Sequence, residues 1–193
     1  MKKLILATHN RHKCDELSAM IDGNWEVVSL DDINITEDIP ETGNTFMENA
    51  RQKAEYVRQR MGDDVEILAD DSGLEVSALN GEPGVRSARY AGETHNDSAN
   101  TAMLLENLKG TNDRSARFVT VLAYMHNGKT EYFEGEVKGT IIDECRGNGG
   151  FGYDPVFVPL GYEQTFAELP AEVKNSMSHR GNAFRAWKES LER

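Results

Sequence analysis

The sequence predicts an α/β fold built on a mixed β-sheet, and three patterns predict it. An apolar β-like run at residues 3–7 is followed by Cys14, Leu17, Met20 and Ile21, which recur at helical spacing. A second apolar run at 65–69 drives into Asp70 and Asp71, meets Ser72-Gly73, and resumes as a β-like run at 74–79. Two long β runs, 117–126 and 132–142, flank Asn127-Gly128, a strong hairpin signal between β patterns. Hairpin strands are antiparallel, so the sheet is mixed.

Size and charge bound the reading. With 193 residues the chain is one large or two-lobed domain, able to bury a core without staples. A net charge of −12 argues against a general nucleic-acid surface, since phosphate backbones need a basic face. A small anion still binds where a few Lys or Arg are focused and a divalent metal helps. Cys14 and Cys145 share no metal-ligand or disulfide spacing, which fits a reducing compartment. The first apolar run is too short for a signal peptide and nothing reaches membrane-spanning length, so the expected location is cytoplasmic, with no membrane partner. No internal repeat, low-complexity segment or linker interrupts the chain.

Taken in order, the strand at 3–7 stops at Thr8-His9-Asn10, and a helix is expected at 11–21 with Asn10 as its N-cap. Lys13 falls in the first turn, where the macrodipole disfavours a cation; it is either solvated or offset by a bound anion. The loop lacks the glycines of a P-loop. A strand at 25–30 leads to an acidic loop at 31–42. Thr45 and Glu48 form a capping-box pair opening a helix to about Met61. That pairing accounts for Glu48 and leaves Glu41 in the preceding loop. Phe46, Ala50, Lys53 and Val57 share one stripe, on which Lys53 either snorkels at the margin or serves as a ligand.

The Asp70-Asp71 pair is expected where a strand ends, at the mouth of the sheet. Adjacent carboxylates repel unless a cation or proton sits between them, so a metal ion is expected there. Beyond it, residues 81–92 are irregular, with Arg86 and Arg89 either meeting phosphates or facing water. Asp97 or Ser98 caps a helix to about Leu108. In 147–155, four glycines surround Phe151, Tyr153 and Asp154. The aromatics either stack on a planar base, which glycines admit closely, or tuck into the core. A short strand at 156–158 and a loop at 161–173 follow. Lys174, His179 and Arg180 then gather donors before a final helix whose apolar face is Ala183, Phe184, Trp187 and Leu191.

The chain resembles the inosine triphosphate pyrophosphatase family, the Ham1 type, nearly end to end. The resemblance rests on Thr8-His9-Asn10 with Lys13, Glu41-Thr42-Gly43 with Phe46 and Glu48-Asn49-Ala50, and Ala69-Asp70-Asp71-Ser72-Gly73-Leu74. It continues through Pro83-Gly84, Ser87-Ala88-Arg89-Tyr90-Ala91-Gly92, Gly150-Phe151-Gly152-Tyr153-Asp154-Pro155 and Ser178-His179-Arg180. His9 stands where many relatives have a smaller residue, and Arg86 where an aromatic is common.

The resemblance implies an elongated mixed twisted sheet with flanking helices, two lobes around a central cleft within one domain at 1–193, a homodimer, and Mg²⁺ as cofactor. It implies cleavage of ITP, dITP and XTP between the α and β phosphates, giving monophosphate and pyrophosphate. By motif match Asp71 is the general base and, with Glu41, a metal ligand. Thr8, His9, Asn10, Arg11, His12 and Lys13 hold the triphosphate, and Ser72 contacts it. Phe151, Gly152, Tyr153, Asp154, Lys174, His179 and Arg180 recognise the nucleoside. Asp70 then supports Asp71.

The chemistry agrees with the residue types. Attack of water on phosphorus needs positioning and charge neutralisation, which Mg²⁺, Lys13 and Lys53 supply. No Ser-His-Asp or Cys-His arrangement demands a covalent route. Three competitors are weaker. A Maf-type pyrimidine pyrophosphatase is disfavoured by the Ser-His-Arg and Phe-Gly-Tyr-Asp motifs. A haloacid-type phosphatase needs Asp-x-Asp after its first strand. A non-catalytic nucleotide sensor needs no Asp71.

Overall fold

The structure is a computed structural model that describes residues 2–21, 25–92 and 95–192. Among these residues six strands form one sheet in the order β2-β1-β3-β4-β5-β6. β1 (Lys2–Leu6) lies between β2 (Trp25–Val28) and β3 (Glu66–Val76), parallel to each, with Leu4 opposite Val27 and Glu66. β4 (Ser115–His126) and β5 (Lys129–Ile141) are joined by Asn127 (φ 47°) and Gly128 (φ 72°), the positive-φ pair of a type I′ turn. β6 (Phe157–Pro159) pairs antiparallel with β5, so the sheet is mixed, as the hairpin signal predicts. The helices are α1 (Arg11–Met20), α2 (Phe46–Met61), α3 (Asp97–Asn107), α4 (Ala171–Met177) and α5 (His179–Leu191). No helix among the described residues is long and apolar enough to cross a membrane.

The chain divides into two compact units. The first comprises Met1–Asp71, Thr120–Glu134 and Ala183–Arg193; the second comprises Ser72–Val119 and Gly135–Asn182. In the first unit, side chains alternate across the strands and build two apolar clusters. Ile5, Ile67, Ala69 and Ala123 pack with Ala50, Ala54 and Val57 of α2. Leu4, Leu6, Leu68 and Leu122 pack with Cys14 and Leu17 of α1 and with Phe184 and Trp187 of α5. The same alternation carries Asp71 to the α2 side and Asp70 to the α1 side. In the second unit, Leu74, Val76, Leu104 and Leu108 join Phe118, Phe157 and Phe166 in one cluster.

Several expected boundaries are corrected. β3 runs without a break through Ser72-Gly73, so Asp70 and Asp71 lie inside a strand and not at its end. The reason is that Leu74 and Val76 are fully buried and continue the strand's inward face, leaving no reversal for Ser-Gly to make. The β-like run at 74–79 stops at Val76, and Ser77–Leu79 form a 3₁₀ turn. β2 stops at Val28, and Asp31–Ile33 form another 3₁₀ turn within the acidic loop. α3 is capped by Asn96, whose side chain accepts from Ala99 N–H at 2.9 Å, and not by Asp97 or Ser98. Asn is among the best N-cap residues, which leaves Asp97 available for another contact. The final segment is two helices. Ser178, extended between them, accepts Gly181 N–H on its hydroxyl at 3.0 Å and starts α5.

Candidate active site

The acid–ammonium cluster of the first unit is built on the start of α2. Thr45 caps the helix by accepting Glu48 N–H at 3.1 Å, and the Glu48 carboxylate accepts Asn44 N–H at 2.7 Å. The capping box is therefore present, with its return bond one residue earlier than usual. Gly43 packs so tightly on this turn that a Cβ there would lie 2.6 Å from Glu48 Cβ and 2.8 Å from Asn49 Oδ1. Its N–H donates to that same oxygen at 2.8 Å, and the other end of the amide, Asn49 Nδ2, donates to Asp71 at 3.0 Å. Asn49, fully buried, thus ties the loop after Glu41 to β3. It is the residue the motif reading assigns no role. Its signal is a polar side chain on the apolar stripe of α2, one turn before Lys53.

Lys53 is nearly buried and donates to Glu41 at 2.6 Å, with Asp71 3.7 Å away. Burial pushes the lysine pKa down, but the charges of Asp71, Asp70 and Glu41 outweigh it and hold the ammonium above its ordinary range. Lys53 is thus a partnered charge and not a marginal snorkelling one. Burial pushes the Asp71 carboxyl up to about 6, opposed by Lys53 and by the Asn49 amide and reinforced by Glu41 and Asp70. Asp70, equally buried, receives Lys13 Nζ at 2.7 Å. The neighbouring aspartates therefore have different partners: α1 supplies a lysine to one, and α2 an asparagine and a lysine to the other.

The loop from β1 to α1 is fixed by its backbone. Ala7 N–H donates to Leu68 O at 2.8 Å, and the Thr8 carbonyl accepts Leu30 N–H at 3.1 Å. The Thr8 hydroxyl accepts Asn10 N–H at 3.1 Å. His9 and Arg11 turn toward the acidic loop. His9 Nδ1 lies 2.7 Å from Asp31, and Arg11 makes a bidentate pair with Asp32 at 2.8 and 3.0 Å. Asp32 also accepts from Ser29 N–H and hydroxyl, which holds its carboxyl down at about 2. The side chain of His12 lies outside the described part of the structure. Cys14 is buried, and that burial raises its thiol to about 11, so it is no nucleophile at neutral pH.

The second unit gathers most of the remaining set. Phe151 and Tyr153 resolve the aromatic alternatives in opposite ways. Phe151 is 61% exposed, whereas Tyr153 is buried and donates its hydroxyl to Ser87 O at 2.7 Å. Buried Asp154 accepts Phe151 N–H at 2.9 Å and Lys174 Nζ at 2.5 Å. The Lys174 ammonium sits 5.0 Å from the Phe151 ring centroid. His179 stacks on Phe118, with centroids 5.0 Å apart and planes 14° apart, and Arg180 is buried beside it in sequence. Ser72 is part-buried in β3. Arg86 is exposed and Arg89 part-buried.

The donor set of the first unit fits Mg²⁺. Glu41 and Asp71 already converge on one cation, the Lys53 ammonium. Mg²⁺ is commonly held by one or two carboxylates, with waters and substrate phosphates completing its shell. Among the described residues no group of three or more His, Cys, Asp or Glu forms an all-protein cage.

Fold and site define an α/β protein in which three carboxylates, Glu41, Asp70 and Asp71, meet two ammonium groups, Lys13 and Lys53, in a largely buried cluster. The chain belongs to the Ham1 family, whose family model matches residues 4–190. It is 51% identical over 189 residues to a dITP/XTP pyrophosphatase of Christiangramia forsetii, covering 98% of each chain. It is 51% identical over 184 residues to a dITP/XTP pyrophosphatase of Porphyromonas gingivalis, covering 95% of this chain and 94% of that one. The solved structure of the Staphylococcus aureus Ham1 protein superposes with a TM-score of 0.92 at 41% identity, covering 99% of this chain and 98% of that one. The mixed sheet with flanking helices is thus the fold of that family.

Proposed function

We propose that the protein hydrolyses deaminated purine nucleoside triphosphates, dITP, ITP and XTP, to the monophosphate and pyrophosphate. The observation that carries this reading is the Glu41–Lys53–Asp71 cluster, in a chain half identical to relatives bearing the name dITP/XTP pyrophosphatase. Asp71, held by Asn49, takes the proton of the attacking water. Lys53, and Lys13 held by Asp70, stabilise charge developing on the departing pyrophosphate. Thr8, Asn10 and Ser72 orient the phosphates, with the His12 side chain assigned to them by motif. His9 and Arg11 join them by exchanging Asp31 and Asp32 for phosphate oxygens.

Glu41 and Asp71 are the residues that would hold Mg²⁺, which when bound would neutralise phosphate charge and make a nearby water more acidic. Phe151, with Gly152 and Tyr153 shaping its loop, offers a stacking face. Lys174, fixed by Asp154, offers a donor to the six-carbonyl of hypoxanthine or xanthine, and His179 and Arg180 add donors. Adenine presents an amino group at that position, and a buried donor left without an acceptor disfavours it strongly. A homodimer belongs to the same reading and rests on the family resemblance, whereas a cytoplasmic location rests on the sequence pattern, a first apolar run too short for a signal peptide and two cysteines without paired spacing.

The test is product analysis with dITP, XTP, dGTP and dATP, with Mg²⁺ and with a chelator. Pyrophosphate from dITP and XTP, dependent on Mg²⁺, is expected. Orthophosphate in its place would overturn the cleavage site. Equal turnover of dATP and dITP would leave only a general pyrophosphatase.

A further inference from the structure

Phe151 is a largely exposed apolar ring on a backbone whose polar groups, its own and those of Gly152, are all held. Its own N–H donates to Asp154 Oδ2 at 2.9 Å, and its carbonyl accepts Asp154 N–H at 3.2 Å. The next peptide is gripped by α3. Gly152 N–H donates to Asp97 Oδ2 at 2.8 Å, and the Gly152 carbonyl accepts the Thr101 hydroxyl at 3.3 Å. Asp97 and Thr101 are one helical turn apart, so they meet the two ends of one residue.

The glycines on either side, Gly150 (φ 70°) and Gly152 (φ 59°), give the aromatic the freedom to swing, and these four bonds remove it. Ordering backbone costs about 1–2 kcal/mol per residue. An exposed ring returns none of that through the core. Tyr153 anchors the loop to the core, and the grip on Gly152 fixes the peptide beside the exposed ring as well. A planar ligand that stacks on Phe151 beside the Lys174 ammonium does gain from it, because the ordering is complete before binding.

We propose that Asp97 and Thr101 are positioning residues for base recognition, acting through the Gly152 peptide to hold Phe151 ready for a planar purine. Neither side chain has to touch the nucleotide. This rests on the pyrophosphatase reading and adds to it the residues that set affinity for the base as opposed to the phosphates.

The test uses the whole protein and four variants, Asp97→Ala, Asp97→Asn, Thr101→Val and the double Asp97→Ala/Thr101→Val. Calorimetric titrations with inosine monophosphate and, separately, with pyrophosphate and Mg²⁺ are read beside dITP turnover. Asp97→Ala is expected to weaken inosine monophosphate about fivefold, the equivalent of one lost hydrogen bond, and to leave pyrophosphate unchanged. Asp97→Asn keeps an acceptor for Gly152 N–H and restores the wild-type value, and the double variant is weaker than either single one. In turnover, KM for dITP rises and kcat holds. Equal weakening of both ligands, no weakening of inosine monophosphate, no binding of it by the wild type, or an Asp97→Asn variant as poor as Asp97→Ala would each overturn the proposal. Wild-type protein that binds inosine monophosphate but turns over no dITP would instead overturn the pyrophosphatase reading and leave the binding comparison to stand alone.

Discussion

Asn49 donates its amide nitrogen to Asp71 at 3.0 Å, while its amide oxygen accepts from Gly43 at 2.8 Å. One buried side chain therefore sets the distance between the loop carrying Glu41 and the strand carrying Asp71. Neither carboxylate is placed by its own segment alone, since Glu41 is in a loop and Asp71 lies beyond the last β1–β3 pair at Leu6 and Leu68.

Asn49→Ala removes both bonds and leaves Gly43 N–H without its acceptor. A loss of about 1–3 kcal/mol in urea unfolding is expected. Gly43→Ala attacks the same junction from the other side, because its Cβ would meet Glu48 Cβ at 2.6 Å, an atom that cannot swing away. Overpacking of this kind costs about 1–3 kcal/mol. Both variants are expected to need more Mg²⁺ for half-maximal turnover. An unchanged Mg²⁺ requirement in both would show that the junction does not place Glu41.

Asp71→Asn is expected to stabilise the metal-free protein while abolishing turnover. Burial raises the folded pKa of Asp71 from 3.8 to about 6. For a raised carboxyl the stabilising contribution is full below the unfolded value and is lost as pH rises through the folded one. At pH 7.5 ionised Asp71 therefore costs on the order of 2–3 kcal/mol that asparagine does not. The stability difference between variant and wild type should be near zero below pH 4 and level off above pH 7, and Mg²⁺ should narrow it. A difference that ignores pH would mean that burial of this charge is not what strains the site.

The fold was legible where local pattern and tertiary context agree. Asn127-Gly128 forces φ > 0 on both residues whatever surrounds them, and Thr45 with Glu48 closes a cap within four residues. Ser72-Gly73 misleads because a turn dipeptide is also tolerated inside a strand whose next inward side chains, Leu74 and Val76, are buried. At the site, residue types announced the carboxylates and lysines, but not who holds whom. Lys13 facing Asp70, Arg11 facing Asp32 and Asp97 facing Gly152 span 57, 21 and 55 residues, and no spacing rule reaches that far.

His9 gives a pH test independent of the carboxylate cluster. The hydrogen bond to Asp31 raises its pKa above 6.5, burial opposes this, and the Glu37 carbonyl adds to it. A raised histidine favours the folded state below pH 6.5 and loses that contribution as pH climbs through the folded value. An NMR titration of the imidazole should place His9 above 6.5 in the wild type and lower in Asp31→Asn. The same midpoint in both proteins would remove Asp31 as the cause.

Gly150→Ala should separate base recognition from phosphate chemistry. A Cβ at Gly150 would fall 2.0 Å from Asp154 Oδ2, the oxygen that receives both Phe151 N–H and Lys174 Nζ, and φ is 70° there. The aspartate has to move, and with it go the two bonds that fix the exposed aromatic and the lysine beside it. The left-handed backbone adds about 1 kcal/mol of strain, and a lost charge-assisted bond adds about 1.5–3 kcal/mol. Lower thermal stability is therefore expected, together with a fall in the preference for dITP over dATP, because Lys174 no longer stands at a fixed point to meet a carbonyl. Inhibition by pyrophosphate should be untouched, since the Lys13, Lys53 and Asp71 set lies in the other unit of the chain. A variant that loses dITP turnover and pyrophosphate inhibition together would show instead that the glycine-rich loop governs the phosphate chemistry as well.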